Sequence, residues 1–269
     1  MNSKHIVLFD MDGTLTPPRE EFDKRLFQPL RNLSEYAEIG IVTGSDMDYL
    51  SSQMRMLIKY SELRFKTHLL PCNGTKHYKP PISASDEYEL IHDMNMQQHL
   101  GENCFRQLMM ILASAQEAMC YNRIPLTGHF ISYRGSMINW CPIGRNANHA
   151  QRQQFVELDK SVSPTIRKRE IGKIAHKVNL RCKNKVVVKL GGETSFDIYP
   201  EGWDKTYALK HFSDYTCWFV GDRCGEDGND KEIYHELLKD LRAFATTGTN
   251  KTELIINKII EEIKYDKEI

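Results

Sequence analysis

An apolar run from His5 to Phe9 ends abruptly in Asp10-Met11-Asp12-Gly13-Thr14-Leu15-Thr16. The run reads as a buried strand. Two carboxylates at i and i+2, directly after such a strand, sit at the edge where α/β sheets take their ligands. Close carboxylates repel, so a cation is needed to keep both ionised. Magnesium suits an oxygen-rich site with phosphate nearby. One carboxylate can attack phosphorus and form an aspartyl phosphate. The other can move a proton to or from a sugar or water oxygen. Gly13 lets the chain turn tightly between them and the next segment.

The 269 residues leave room for one large domain or two smaller ones. Near both ends, strand-like runs alternate with helical patterns. Ile39 to Val42 runs into Thr43-Gly44-Ser45-Asp46, Phe65 to Leu70 reads as a third strand, and Cys217 to Val220 runs into Gly221-Asp222. Such alternation favours a parallel sheet covered by helices. The middle differs. Residues 86–120 read as helical, and two hairpins follow, 127–140 and 186–199, separated by helical stretches. The expected class is therefore α/β, a parallel-sheet core carrying an inserted α+β antiparallel-sheet domain. The expected bounds are 1–81 with 201–269 for the core and 82–200 for the insert, with hinges at Lys79-Pro80-Pro81 and Pro200-Glu201-Gly202.

Lys plus Arg equals Asp plus Glu at 36 each, which gives no overall basic excess for nucleic acid. Nine Lys/Arg do gather in 164–189, Arg167 among them, and they read as a solvated face. No apolar run approaches a membrane span. The seven cysteines form no C-x-x-C pair, which argues against a disulfide framework and points to a reducing, cytoplasmic setting.

The octet Phe9–Thr16 resembles the first motif of the haloacid dehalogenase (HAD) phosphotransferase superfamily. Further motifs follow in order. Thr43 (or Ser45) takes the place of the second, Lys205 of the third, and Asp222 with Asn229 and Asp230 of the fourth. Leu15-Thr16-Pro17-Pro18-Arg19, Pro142-Ile143-Gly144-Arg145, Ser195-Phe196-Asp197 and Pro200-Glu201-Gly202-Trp203-Asp204-Lys205 resemble the eukaryotic-type (alpha) phosphomannomutases more narrowly.

That resemblance implies a HAD Rossmann-like core with a cap that sets specificity and mediates homodimerisation. It implies interconversion of mannose 6-phosphate and mannose 1-phosphate through a hexose 1,6-bisphosphate, which also serves as activator, and a place in GDP-mannose synthesis. Asp10 would be the nucleophile and Asp12 the general acid/base. Asp10, Asp12 and Asp222 would hold Mg2+, supported by Asn229 and Asp230. Thr43 and Lys205 would bind the transferring phosphoryl group. Arg19, Arg134, Arg145, Arg152, Ser195 and Asp197 would bind substrate, arginine being suited to bidentate contact with phosphate.

Some positions depart from the family. Thr43-Gly44-Ser45-Asp46 is closer to HAD phosphatases, which keeps a sugar-phosphate phosphatase as the alternative. Cys72 stands where the family usually has Glu. Tyr234, Glu236 and Lys239 occupy the places of a second, structural cation site, and a lysine is no oxygen ligand.

Overall fold

The structure is a computed structural model and describes residues 4–17, 20–182 and 185–268. The chain divides into two compact units, 1–93 with 203–269 and 94–202. Its strands are β1 (Lys4–Phe9), β2 (Glu38–Val42), β3 (Thr67–Leu70), β4 (Lys76–Lys79), β5 (Glu89–Asp93), β6 (Ile131–Tyr133), β7 (Ile138–Trp140), β8 (Val186–Gly191), β9 (Ser195–Pro200), β10 (Tyr215–Gly221) and β11 (Ala243–Ala245).

In the first unit seven strands run in the order β11-β10-β1-β2-β3-β4-β5. The pairs from β11 through β3 are parallel, and β4 and β5 join antiparallel. Alternate residues of the central strands serve two cores, as a sheet covered on both faces requires. Val7, Phe9, Ile39, Ile41 and Leu69 pack with Leu30, Leu57 and the Ile256–Ile259–Ile263 stripe of the last helix. Ile6, Leu8, Val42, Leu70 and Phe219 pack with Ala208, Phe212, Ile233 and Leu237. Gly40 is small because a Cβ there would meet Leu8 and Leu70.

The second unit is a four-stranded antiparallel sheet in the order β6-β7-β9-β8. Trp140 and Phe196, opposite each other on β7 and β9, stack at 4.6 Å. The indole Nε1 donates to Gln116 Oε1 of the helix Glu102–Cys120 at 2.8 Å.

Three expectations need correction. The stretch 86–120 is not wholly helical: Glu89–Asp93 pairs with β4 and completes the first sheet. The units consequently divide after Asp93, not at Pro80-Pro81, because a paired edge strand belongs with its ladder. Cys104 and Cys182 form a disulfide across the second unit, while Cys72, Cys120, Cys141, Cys217 and Cys224 are free.

The β2–β5 side of the first sheet also holds a histidine cluster. His68 Nε2 meets Glu38 Oε2 at 2.8 Å, and His68 Nδ1 meets His77 Nε2 at 2.8 Å. His211 lies 4.6 Å from His77, ring to ring. Burial, and then the neighbouring histidines His211, His68 and His92, push the His77 pKa down to about 3. The unfolded chain thus binds more protons than the folded one between about 6.5 and about 3. Stability contributed by neutral His77 is full above that window and is lost as pH falls through it. His77→Phe is expected to flatten this acid limb, whatever it does to stability at neutral pH. Urea unfolding of both proteins across that range measures the two slopes.

Candidate active site

Because β1, β2 and β10 are parallel neighbours, their C-terminal ends lie along one edge of the sheet. Asp10 follows β1, Thr43 follows β2, and Asp222 follows β10. The Asp10 N–H donates to Val220 O at 2.9 Å, which seats the first aspartate beside the end of β10. The turn after Asp10 is close to Asp222. Gly13 has a φ of +84°, and a Cβ there would run into the Asp222 carboxylate.

Lys205 is fully buried at the start of the 3-10 helix Lys205–Phe212, which Asp204 caps. Its ammonium bonds both Asp10 Oδ1 and Asp230 Oδ1, the latter at 2.5 Å. Asp230 Oδ2 accepts from the Arg223 N–H at 2.9 Å, so the loop after β10 closes on itself through this carboxylate. Burial works against the Lys205 charge, but Asp10 and Asp230 outweigh it and raise its pKa. Burial, with Asp230 and Asp222 nearby, raises the Asp10 pKa despite Lys205. Burial and then Asp230 push Asp222 up to about 6.

Asp10, Asp222 and Asp230 offer carboxylate oxygens that all lie within 4.8 Å of one another. Asp222 Oδ1 and Asn229 Oδ1 are buried without a hydrogen-bond donor. Three crowded carboxylates against one ammonium, with buried oxygens lacking donors, fit a divalent cation. Asp230 thus stands in the cluster together with Asp10 and Asp222. The Asp12 carboxylate is not in the converging trio. Its Oδ1 instead accepts from Tyr49 OH at 3.2 Å, a partner that no sequence motif marks. Thr43 is buried, and its Oγ1 accepts from Ser45 N–H at 3.1 Å, which keeps its own hydrogen for donation. In the loop after β3, Asn73 donates its N–H to Thr43 O and its Nδ2 to Trp203 O. Burial raises the Cys224 thiol to about 12, so it is no thiolate near neutral pH.

In the second unit, Arg145 Nη1 donates to Asn139 Oδ1 at 2.9 Å, and Asn139 Nδ2 donates to Asp197 Oδ1 at 2.7 Å. Arg152 Nη2 donates to Thr194 Oγ1 at 2.8 Å. Ser195 is buried at the start of β9, and Arg134 is half-buried in the β6–β7 turn. Arg19 lies outside the described residues. Arg167 corrects the expected solvated stretch. It is buried, its N–H and Nε bond both Asp159 oxygens, and its Nη1 reaches Gly192 O. The helical spacing of Arg167 with Ile174 and Val178 on one buried face is the signal that could have found it. Lys239 bonds Glu236 Oε2 at 2.6 Å, so those positions form an ion pair.

The profile of the eukaryotic phosphomannomutase family matches residues 26–262. A phosphomannomutase of Encephalitozoon cuniculi is 32% identical over 97% of this chain and 96% of its own length. One of Arabidopsis thaliana is 34% identical over 85% and 86%. Among solved structures, a Plasmodium falciparum IMP-nucleotidase superposes with a TM-score of 0.63 at 12% identity, over 96% of this chain and 68% of the other. An Aspergillus fumigatus trehalose-6-phosphate phosphatase gives 0.52 at 16%, over 97% and 93%. At such identities the two structures speak for the fold alone.

Asp222→Asn provides a test of the cation site. The cost of the ionised Asp222 is full above about pH 6 and is relieved as pH falls toward 3.8. In chelator-treated protein the variant should melt higher than the parent at pH 7.5, with the gap closing below pH 6. Added magnesium should raise the melting temperature of the parent and leave the variant nearly unmoved. Equal magnesium shifts in both would remove Asp222 from the site.

Proposed function

Given that the chain belongs to the eukaryotic phosphomannomutase family, we propose that Asp10 carries the phosphoryl group in a phosphomannomutase reaction. Lys205 bridging Asp10 and Asp230 beside Asp222 is the observation that carries this reading. The reaction interconverts mannose 6-phosphate and mannose 1-phosphate. An Asp10 oxygen attacks phosphorus of a hexose 1,6-bisphosphate, and the P–O bond to the sugar breaks. Asp12, oriented by Tyr49, gives the departing sugar oxygen its proton. That monophosphate leaves, and its isomer binds with its own free hydroxyl toward phosphorus. Asp12 then removes that proton, the hydroxyl oxygen attacks the aspartyl phosphate, and Asp10 is released.

Lys205 holds Asp10 in place and offsets charge on the transferring group, and Thr43 donates to it. Such chemistry is mostly positioning and charge neutralisation. Asp10 and Asp222 would hold Mg2+ with Asn229 and Asp230, and the ion when bound would stabilise phosphoryl charge. Asp12 would join Asp10 and Asp222 in holding the ion as well as moving the proton, since the Tyr49 bond engages one of its carboxylate oxygens only through a donated hydrogen. Arg134, Arg145, Arg152, Ser195 and Asp197 bind the sugar and the phosphate that is not being transferred, and Arg19 belongs to the same set. The mannose 1-phosphate formed suits GDP-mannose synthesis, and the bisphosphate serves as activator.

No helix among the described residues is long and apolar enough to cross a membrane; a cytoplasmic setting belongs to the proposed reading. A homodimer formed through the second unit completes the proposed reading.

A phosphorus NMR time course on mannose 1-phosphate with magnesium and catalytic glucose 1,6-bisphosphate tests the reading. A growing mannose 6-phosphate signal with little inorganic phosphate is expected. Inorganic phosphate growing in its place would make the protein a phosphatase. Asp10→Asn should lower turnover by about a thousandfold or more.

A further inference from the structure

Strand register places a polar row across the second sheet. Ser132 pairs with Asn139, Asn139 with Asp197, and Asp197 with Lys189. Residues directly opposite in antiparallel strands share a face, so these four side chains cross the order β6-β7-β9-β8 on one face. The adjoining rows, Ile138–Ile198–Val188 and Trp140–Phe196, take the other face and are buried.

Asn139 sits in this row, 4% exposed. Its amide donates to a carboxylate on one side and accepts from a guanidinium on the other. An amide does both at once without charge, donating through its nitrogen and accepting through its oxygen. Arg145 and Asp197 in direct contact would form an ion pair, each satisfying the other's charge. The intervening amide keeps them apart as two separate ligand groups. Both ends are themselves fixed. The Arg145 N–H donates to His129 O at 3.2 Å, and Gly144, at a φ of +85°, packs on the Gly128 backbone. Asp197 is pressed against Gly191, where a Cβ would come within 2.8 Å of its carboxyl carbon.

We propose that Asn139 is a positioning residue for hexose-phosphate binding. It is a neutral spacer that sets the distance between a phosphate-binding arginine and a hydroxyl-binding aspartate. The inference rests on the assignment of Arg145 and Asp197 to the substrate site.

Two variants test it in the full chain, with the kinetics of mannose 1-phosphate turnover and the melting temperature measured together. Asn139→Leu removes the hydrogen bonds with Arg145 and Asp197, together with a longer one to Phe196 O, and should raise KM by about tenfold, with kcat changed by less than about threefold. Asn139→Asp keeps the acceptor for Arg145 but sets a second carboxylate against Asp197. Its KM, taken relative to the parent at each pH, should be high at pH 8 and recover toward pH 5.5, as one of the two carboxyls takes up a proton and can donate again. A residue of purely structural importance would lower the melting temperature and the active fraction, hence kcat, at constant KM. That pattern, or a parental KM in both variants at every pH, overturns the proposal while the parent remains an active mutase. A parent that turns over no hexose phosphate overturns the functional assignment and this inference with it.

Discussion

One buried ammonium organises the catalytic end of the first unit. Lys205 has no exposed surface, and its two partners, Asp10 and Asp230, are nearly as deep. Charges at such depth persist only when paired, since desolvation of an isolated one is prohibitive. Asp222 adds a third carboxylate to the same cluster, and one ammonium cannot balance three. The excess negative charge makes a cation part of the site's electrostatic logic. The same ammonium is bonded to the proposed nucleophile, Asp10.

Chain topology brings these groups together. Parallel pairing of β1 with β2 and β10 sends Asp10, Thr43 and Asp222 out of one sheet edge. Two loops then complete the cluster. The segment 221–230 folds back so that Asp230 accepts from Arg223 and Lys205 together. Asn73 hydrogen-bonds both Thr43 and Trp203, tying the strand end that carries Thr43 to the residues just before Lys205. Packing of the apolar strand residues on two helical layers makes the edge rigid, as positioning chemistry requires.

Much of this was open to a reader of the sequence. Continuous apolar runs ending in Asp10, Thr43 and Asp222 announce buried parallel strands with their ligands at one edge, because burial on both faces erases polar alternation. The contributions of Tyr49, Asn139 and Asn73 were not visible, since each acts through a hydrogen bond to a residue distant in sequence. Arg167 was misread for a related reason. Composition counts it with its basic neighbours, whereas the helical period buries it against Asp159. Glu89–Asp93 is mostly exposed, so it lacks the apolar signature of a strand and joins the sheet by edge pairing alone. The Cys104–Cys182 bridge joins residues 78 apart in sequence, and no local spacing signals such a pairing.

The most direct test of the central claim is to find where the phosphoryl group resides during turnover. Enzyme mixed with magnesium and hexose 1,6-bisphosphate, quenched in acid and digested, should yield one phosphorylated peptide, with the modification on Asp10 and absent from an Asp10→Asn control. Phosphate on Asp12 or on any other residue, or an active enzyme that never becomes phosphorylated, would contradict the account.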